Sequence, residues 1–91
     1  MGQTPPRFRL ERVDGYKLDV AKNLPRDPIW GKRLERREQA VLQDPEHHGY
    51  HRGGLNHCKW AAPVERFFIM YQIDKQSNPG IVRLLAFYGP K

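Results

Sequence analysis

All four histidines and the one cysteine of this chain fall within residues 44–60, DPEHHGYHRGGLNHCKW. Imidazole titrates near pH ~6.5, so a histidine can act as an acid, a base or a metal ligand. A metal site is disfavoured, because His47 and His51 would face one another only on a helix and the three glycines of the stretch oppose a helix. We therefore predict no metal and no cofactor. We interpret the stretch as a polar loop in which His51 or His57 is either a candidate acid or base or simply solvated.

A predicted helix from about residue 28 to residue 43 carries a second candidate surface. Its cations stand four residues apart in two rows, which places each row on one helical face: Lys32, Arg33, Arg36 and Arg37. Glu35 and Glu38 offset this charge only in part. Over the whole chain, 16 Lys and Arg residues against 10 Asp and Glu give a net charge of +6. This excess favours a polyanion or an acidic protein as the partner, with a solvated surface as the alternative.

Length and composition limit the class of protein. The 91 residues are enough for one small domain, 1–91, with one modest core. A single cysteine cannot close an internal disulfide, which favours a reducing, cytoplasmic setting. The longest apolar runs are residues 67–71 and 84–88, far short of the roughly 20 residues of a membrane-spanning helix. The first residues likewise lack the apolar run of a signal peptide.

Hydrophobic periodicity and turn signals predict the elements that must position these side chains. Asp14 follows a short strand and can cap a first helix. Asp27-Pro28 starts a second helix, and Asp44-Pro45 ends it. The elements are a strand, two helices and three strands, at about residues 8–13, 16–24, 28–43, 58–64, 67–73 and 81–88. Segregated helices and hairpin-linked strands indicate the α+β class.

Three segments, in this order, resemble motifs of one family. LPRDPIWGKRLERREQAVLQDPEHHG is similar to its second helix and the exit from that helix. GGLNHCKWAAPVERFFIMYQID is similar to its Leu-Gly-Lys-Trp strand and the following strand that ends in Tyr-x-Ile-Asp, and IVRLLAFYG to its last strand. On these motifs the chain resembles, over about residues 8–89, the RelE/ParE superfamily of small bacterial toxins from type II toxin–antitoxin systems. The resemblance implies a RelE-like α+β fold, with a short N-terminal strand and two helices packed on a twisted antiparallel sheet formed with three C-terminal strands.

The resemblance also implies a function and partners. RelE-like members cut mRNA in the ribosomal A site without metal, whereas ParE-like members poison gyrase. Both kinds are neutralised by an antitoxin whose C-terminal segment wraps the toxin. We therefore expect a ribosome-dependent mRNA endonuclease toxin that inhibits translation, with the ribosome, mRNA and a cognate antitoxin protein as partners and no membrane.

Metal-free RNA cleavage uses the ribose 2′-OH as nucleophile and needs a base, cations at the phosphate and an acid for the leaving oxygen. Carried over residue by residue, the resemblance makes Lys59 the strand lysine and Tyr88 the tyrosine near the end of the last strand. The arginine that nucleases have three residues before Tyr71 is Phe68 here, a departure from the family. Arg66 stands two residues earlier, on the same strand face by alternation, and is the substitute candidate.

The predicted catalytic set is therefore Lys59, Arg66 and Tyr88, with His57 as an assisting acid or base. The predicted RNA-binding set joins the basic helix to cations of the loop and the chain end: Lys32, Arg33, Arg36, Arg37, His51, Arg52, Arg83 and Lys91. Two alternatives stay open. The first, favoured by Phe68, is a ParE-like gyrase inhibitor without nuclease activity. The second is a non-toxic RNA- or protein-binding module on the same fold.

Overall fold

The computed structural model describes residues 8–52 and 59–89, with the backbone alone for residues 50–52. The described elements are β1 (Phe8–Arg12), α1 (Asp14–Asn23), α2 (Pro28–Gln43), β2 (Tyr50–Arg52), β3 (Lys59–Val64), β4 (Phe67–Asp74) and β5 (Gly80–Tyr88). The predicted order of one strand, two helices and three strands is confirmed. β2 is an additional strand in the stretch predicted to be a loop. It has only three residues and is defined by its pairing with β3, which no local sequence pattern shows.

The strands form one sheet in the order β1-β5-β4-β3-β2. The pairs from β2 to β5 are antiparallel, as predicted. β1 runs parallel to β5, so the sheet is mixed and the prediction of an antiparallel sheet is wrong for this pair. A parallel pair needs a long crossover connection, which the helices and the other strands between β1 and β5 supply. The α+β class itself is confirmed.

The core lies between the two helices and one face of the sheet. In β4 every second side chain is buried, at Phe67, Ile69 and Tyr71, whereas the residues between them are partly exposed. α1 packs on β5, and α2 packs on β3 and β1. The largest fully buried side chains are those of Tyr16, Tyr71, Phe87, Ile69, Leu84, Val41 and Val82. The described helices thus cover one face, the helix side, and we call the opposite face of the sheet the open face.

The ends of α2 agree with the sequence signals. The Asp27 side chain accepts a hydrogen bond from the backbone N–H of Ile29 at 3.1 Å, and Pro28 is the first helical residue. α1 begins at Asp14, so Val13 and not Asp14 occupies the cap position. Asp14 instead lies in the first turn, where a negative charge interacts favourably with the helix dipole.

The buried carboxylate of Glu38 joins β1 to both helices. The Glu38 carboxylate accepts hydrogen bonds from the Arg12 guanidinium at 2.8 and 3.2 Å and from the Tyr16 hydroxyl at 2.6 Å. Glu38 is 4% exposed, so it does not offset the cations on the outer face of α2 as the sequence suggested. The hydrogen bond to Glu38 raises the pKa of Arg12. Burial, and then the same carboxylate, raises the pKa of Tyr16.

Candidate functional site

The open face is built from rows of side chains that cross the strands, because residues opposite one another in paired strands point to the same face. Three rows follow from the register. The aromatic row consists of Pro63, Phe68 and Tyr88, and the middle row of Ala61, Met70 and Ala86. The polar row consists of Lys59, Gln72, Arg83 and Glu11. A register shift between Met70 and Tyr71 adds one residue to β5 and keeps Arg83 and Ala86 on the same face.

The polar row crosses four strands, from β3 through β4 and β5 to β1. The Nε of Arg83 donates a hydrogen bond to Oε1 of Glu11 at 2.9 Å, and both side chains are partly exposed. Lys59 and Gln72 are also partly exposed. A cleft of about 560 Å³, lined by Gln72, Arg83 and residues 74–76 among others, adjoins the row. Two cations, an amide and a carboxylate on one surface are the groups that phosphate binding and proton transfer require.

The aromatic row forms the other end of the open face. The rings of Phe68 and Tyr88 stack with centroids 5.6 Å apart and planes 23° apart. A ring therefore occupies the strand position at which the nuclease motif has an arginine. Stacked aromatic side chains offer a surface for a nucleobase and not for a phosphate.

Lys59 and Tyr88 share the open face but not one site. Their rows cross β4 at Gln72 and Phe68, four residues apart, which is about 13 Å at ~3.3 Å per residue. The structure therefore places Lys59 in the same row as Arg83, on the other side of Gln72, and stacks Tyr88 on Phe68. The polar row and the aromatic row lie on either side of the middle row, at opposite ends of one surface.

Arg66 lies in the turn between β3 and β4 and is exposed. Its guanidinium lies 5.6 Å from the ring centroid of Trp30 and 5.4 Å from that of Phe67. Phe67 belongs to the core, and Trp30 of α2 packs against that core. The predicted place of Arg66 on the same face as Phe68 is therefore wrong. The strand begins only at Phe67, and strand alternation does not continue through the turn.

The basic residues of α2 lie on its outer face as predicted. Lys32, Arg33 and Arg36 are exposed, and Arg37 is partly exposed. The Arg33 guanidinium lies 5.1 Å from the ring centroid of Trp30. Within residues 8–49 and 59–89, none of these four side chains forms an ion pair. Their charges are therefore available to a partner.

The first part of the histidine-rich stretch is held against the sheet. The Tyr71 hydroxyl donates a hydrogen bond to the Pro45 carbonyl oxygen at 2.6 Å. A methyl group on Gly49 would come within 2.8 Å of the backbone of β3, so only glycine fits there. His47 is exposed, and its Nδ1 lies 2.7 Å from Oδ1 of Asp44. That hydrogen bond raises the pKa of His47.

Several predicted residues lie wholly or partly outside the described part of the chain. The backbones of His51 and Arg52 pair with those of Trp60 and Lys59, and His57 and Lys91 are not among the described residues. Among the side chains that are described, no three potential metal ligands come together. Neither described helix is long and apolar enough to cross a lipid bilayer.

Glu11 and Gln72 are site residues that the sequence did not single out. Strand alternation in FRLER and FFIMYQID puts each of them opposite the buried face of its own strand. Glu11 and Gln72 fall in one row with Lys59 and Arg83 because of the strand order and the register shift in β5. Neither can be derived from the pattern of one strand.

A comparison with solved structures places the fold beside a known one. The chain is similar to a chain of the toxin–antitoxin complex RelBE2 from Mycobacterium tuberculosis, with a TM-score of 0.72 and 17% sequence identity, over 89% of this chain and 95% of that chain. No protein-family model matches the chain, and no curated protein matches it. The protein therefore has the RelE-like α+β fold that its sequence motifs predicted.

Proposed function

We propose that this protein is a toxin of a toxin–antitoxin system that cleaves mRNA on the ribosome through the ribose 2′-OH and so inhibits translation. The observation that carries the proposal is the polar row of Lys59, Gln72, Arg83 and Glu11 on the open face. The likeness to a chain of a toxin–antitoxin complex supports the toxin role and an antitoxin as partner. The net charge of +6 supports an RNA target, and a ribosomal target implies action in the cytoplasm.

In this mechanism the 2′ oxygen attacks the adjacent phosphorus and the bond from phosphorus to the 5′ oxygen breaks. The 2′-OH gives its proton to the Glu11 carboxylate. The leaving 5′ oxygen takes a proton from solvent water, whose hydroxide then accepts the proton held by Glu11. Arg83 and Lys59 stabilise the charge that builds on the phosphate oxygens. The products are a 2′,3′-cyclic phosphate and a 5′-hydroxyl, so the reaction balances without another reactant. Phe68 and Tyr88 stack a neighbouring base.

Glu11 lies in the polar row itself and is a better base than Asp74, which lines the adjoining cleft. Both oxygens of the Asp74 carboxylate accept hydrogen bonds, from the hydroxyl and backbone N–H of Ser77 and from the backbone N–H of Gln76. These bonds, that of the Ser77 hydroxyl first, lower the pKa of Asp74. Within the described residues, the Glu11 carboxylate accepts one hydrogen bond, from Arg83 at Oε1, so its second oxygen is left to accept a proton.

One observation favours a second function. Phe68 replaces the strand arginine, and its ring stacks on Tyr88, so the end of the sheet where nucleases bind phosphate is apolar here. This favours a ParE-like toxin that inhibits gyrase by protein contact. A non-toxic binding module on the same fold is a third candidate, and harmless expression in bacteria would favour it.

Primer extension on a reporter mRNA translated in vitro tests the proposal. With the protein present, we expect new ends in phase with codons, seen only when ribosomes are present. Intact message together with inhibition of DNA supercoiling by gyrase would replace the nuclease by the ParE-like function. If the protein shows neither activity and its expression is harmless to bacteria, the non-toxic binding module is the function that remains.

A further inference from the structure

Two arginines from different parts of the chain converge on one ring. The guanidinium groups of Arg33 and Arg66 lie 5.1 and 5.6 Å from the ring centroid of Trp30. Trp30 in turn packs edge-on against Phe67, with centroids 5.5 Å apart, which fixes it to the core. A guanidinium held over an aromatic ring keeps its N–H edges available for bidentate contact with phosphate or carboxylate oxygens.

Next to these arginines, a groove lies between α2 and the turn that joins β3 to β4. One cleft of about 350 Å³ is lined by Arg33, Arg36, Arg37, Ala40, Val64 and Glu65. The next, of about 330 Å³, is lined by Arg37, His47, His48, Gly49 and Pro63. Arg37 lines both clefts, so they lie side by side. We call this surface the basic groove and define it by Arg33, Arg36, Arg37 and Arg66, with His47 and His48 at its far end.

Among the residues that the structure describes, the charge of the basic groove is not balanced. None of its four arginines forms an ion pair with a residue that the structure describes. Glu65 is the one carboxylate among the residues described as lining the two clefts. Like charges held close together repel, and an anionic partner relieves that repulsion.

We propose that the basic groove binds the phosphate backbone of folded RNA and docks the protein on the ribosome, and that Arg66 acts in this docking and not in cleavage. The proposal rests on the proposed function and deepens it. The Arg66 guanidinium lies over Trp30 and Phe67 on the helix side, whereas the polar row lies on the open face. Arg66 therefore contacts the target while the mRNA lies on the other side of the sheet. An arginine side chain can bind two phosphate oxygens through two N–H groups, and such contacts give affinity without recognising the base. Docking on folded RNA requires this kind of contact.

Fluorescence anisotropy with a labelled RNA hairpin measures this binding directly. We expect Arg37→Gln and Arg66→Gln each to weaken binding roughly fivefold and to reduce the slope of log affinity against log salt by about one. Arg26→Gln, at an exposed arginine in the connector between the helices, is the matched control and should leave both unchanged. Equal effects of Arg66→Gln and Arg26→Gln would overturn the proposal. Equally tight binding of a glutamate-rich peptide would overturn the assignment to RNA.

A ribosome titration of mRNA cleavage separates docking from chemistry. Arg66→Gln should raise the ribosome concentration for half-maximal cleavage roughly fivefold and leave the maximal rate unchanged. Arg66→Lys should raise that concentration less than Arg66→Gln does, because lysine keeps the positive charge but cannot make the two parallel N–H contacts of a guanidinium. A maximal rate about 100-fold lower would make Arg66 catalytic and overturn the proposal. If the wild-type protein cleaves no mRNA, the proposed function fails, and the hairpin measurement still decides the basic groove.

Discussion

If the polar row binds RNA as proposed, Arg83 and Glu11 should have opposite effects on that binding. Glu11 would compete with a phosphate for the same guanidinium, whose Nε lies 2.9 Å from the carboxylate. We expect Arg83→Gln to weaken the binding of a short single-stranded RNA roughly fivefold. We expect Glu11→Gln to tighten it roughly two- to fivefold, the range that an exposed ion pair is worth.

Anisotropy titrations at several salt concentrations check this pair of outcomes. Arg26→Gln and Glu35→Gln, at exposed positions outside the polar row, correct for the change in net charge. If Glu11→Gln and Arg83→Gln both weaken binding, the ion pair only supports the fold, and the polar row does not bind phosphate.

At the scale of elements, the buried carboxylate of Glu38 holds β1, α1 and α2 together. Glu38→Ala leaves the Arg12 guanidinium and the Tyr16 hydroxyl without their acceptor. We expect the free energy of unfolding to fall by about 1–3 kcal/mol, because the buried Tyr16 hydroxyl loses its acceptor, whereas the exposed Arg12 side chain is solvated by water. Urea unfolding measures it, with Glu35→Ala as the exposed control. A loss no larger than that of the control would show that the network does not stabilise the fold.

Tyr71 links β4 to the segment after α2, and its hydroxyl gives stability a dependence on pH. Burial, with the Asp44 carboxylate nearby, raises the pKa of Tyr71 to about 12, whereas an unfolded tyrosine titrates near ~10. The stability that this group contributes is therefore complete below pH ~10 and is lost as the pH rises toward about 12.

The variant Tyr71→Phe tests this link. At neutral pH its free energy of unfolding should be lower by about 1–3 kcal/mol, because the Pro45 carbonyl oxygen loses its donor. It should then fall less steeply than that of the wild-type protein above pH ~10. Unfolding curves over this range, with Tyr88→Phe as control, measure the difference. A parallel fall in wild type and Tyr71→Phe would contradict the assignment.

The elements that the sequence predicted are those with local signals. Asp27 and Pro28 mark the start of α2, and strand alternation marks β4. β2 and the burial of Glu38 escaped prediction because they depend on partners more than 20 residues away or across the sheet. Arg66 was misplaced for a related reason, since alternation holds within a strand and not through the turn before it.

At the scale of the whole molecule, the two helices lie on one side of the sheet and leave two different candidate surfaces. The open face carries the polar and aromatic rows, and the basic groove lies on the helix side. Lys59 and Tyr88 were predicted as one catalytic set from their motifs, and the structure places them on one face of the sheet. Their separation along β4 was not predictable, because it follows from the register of three strands.

We propose that the polar row performs the cleavage, and the variant Glu11→Gln tests this most directly. We would measure the single-turnover rate of mRNA cleavage at saturating ribosomes, with Glu35→Gln as the control. We expect a rate lower by about 100-fold or more, together with RNA binding at least as tight as that of the wild-type protein. A rate close to that of the wild-type protein would show that Glu11 is not the base and that the chemistry takes place elsewhere.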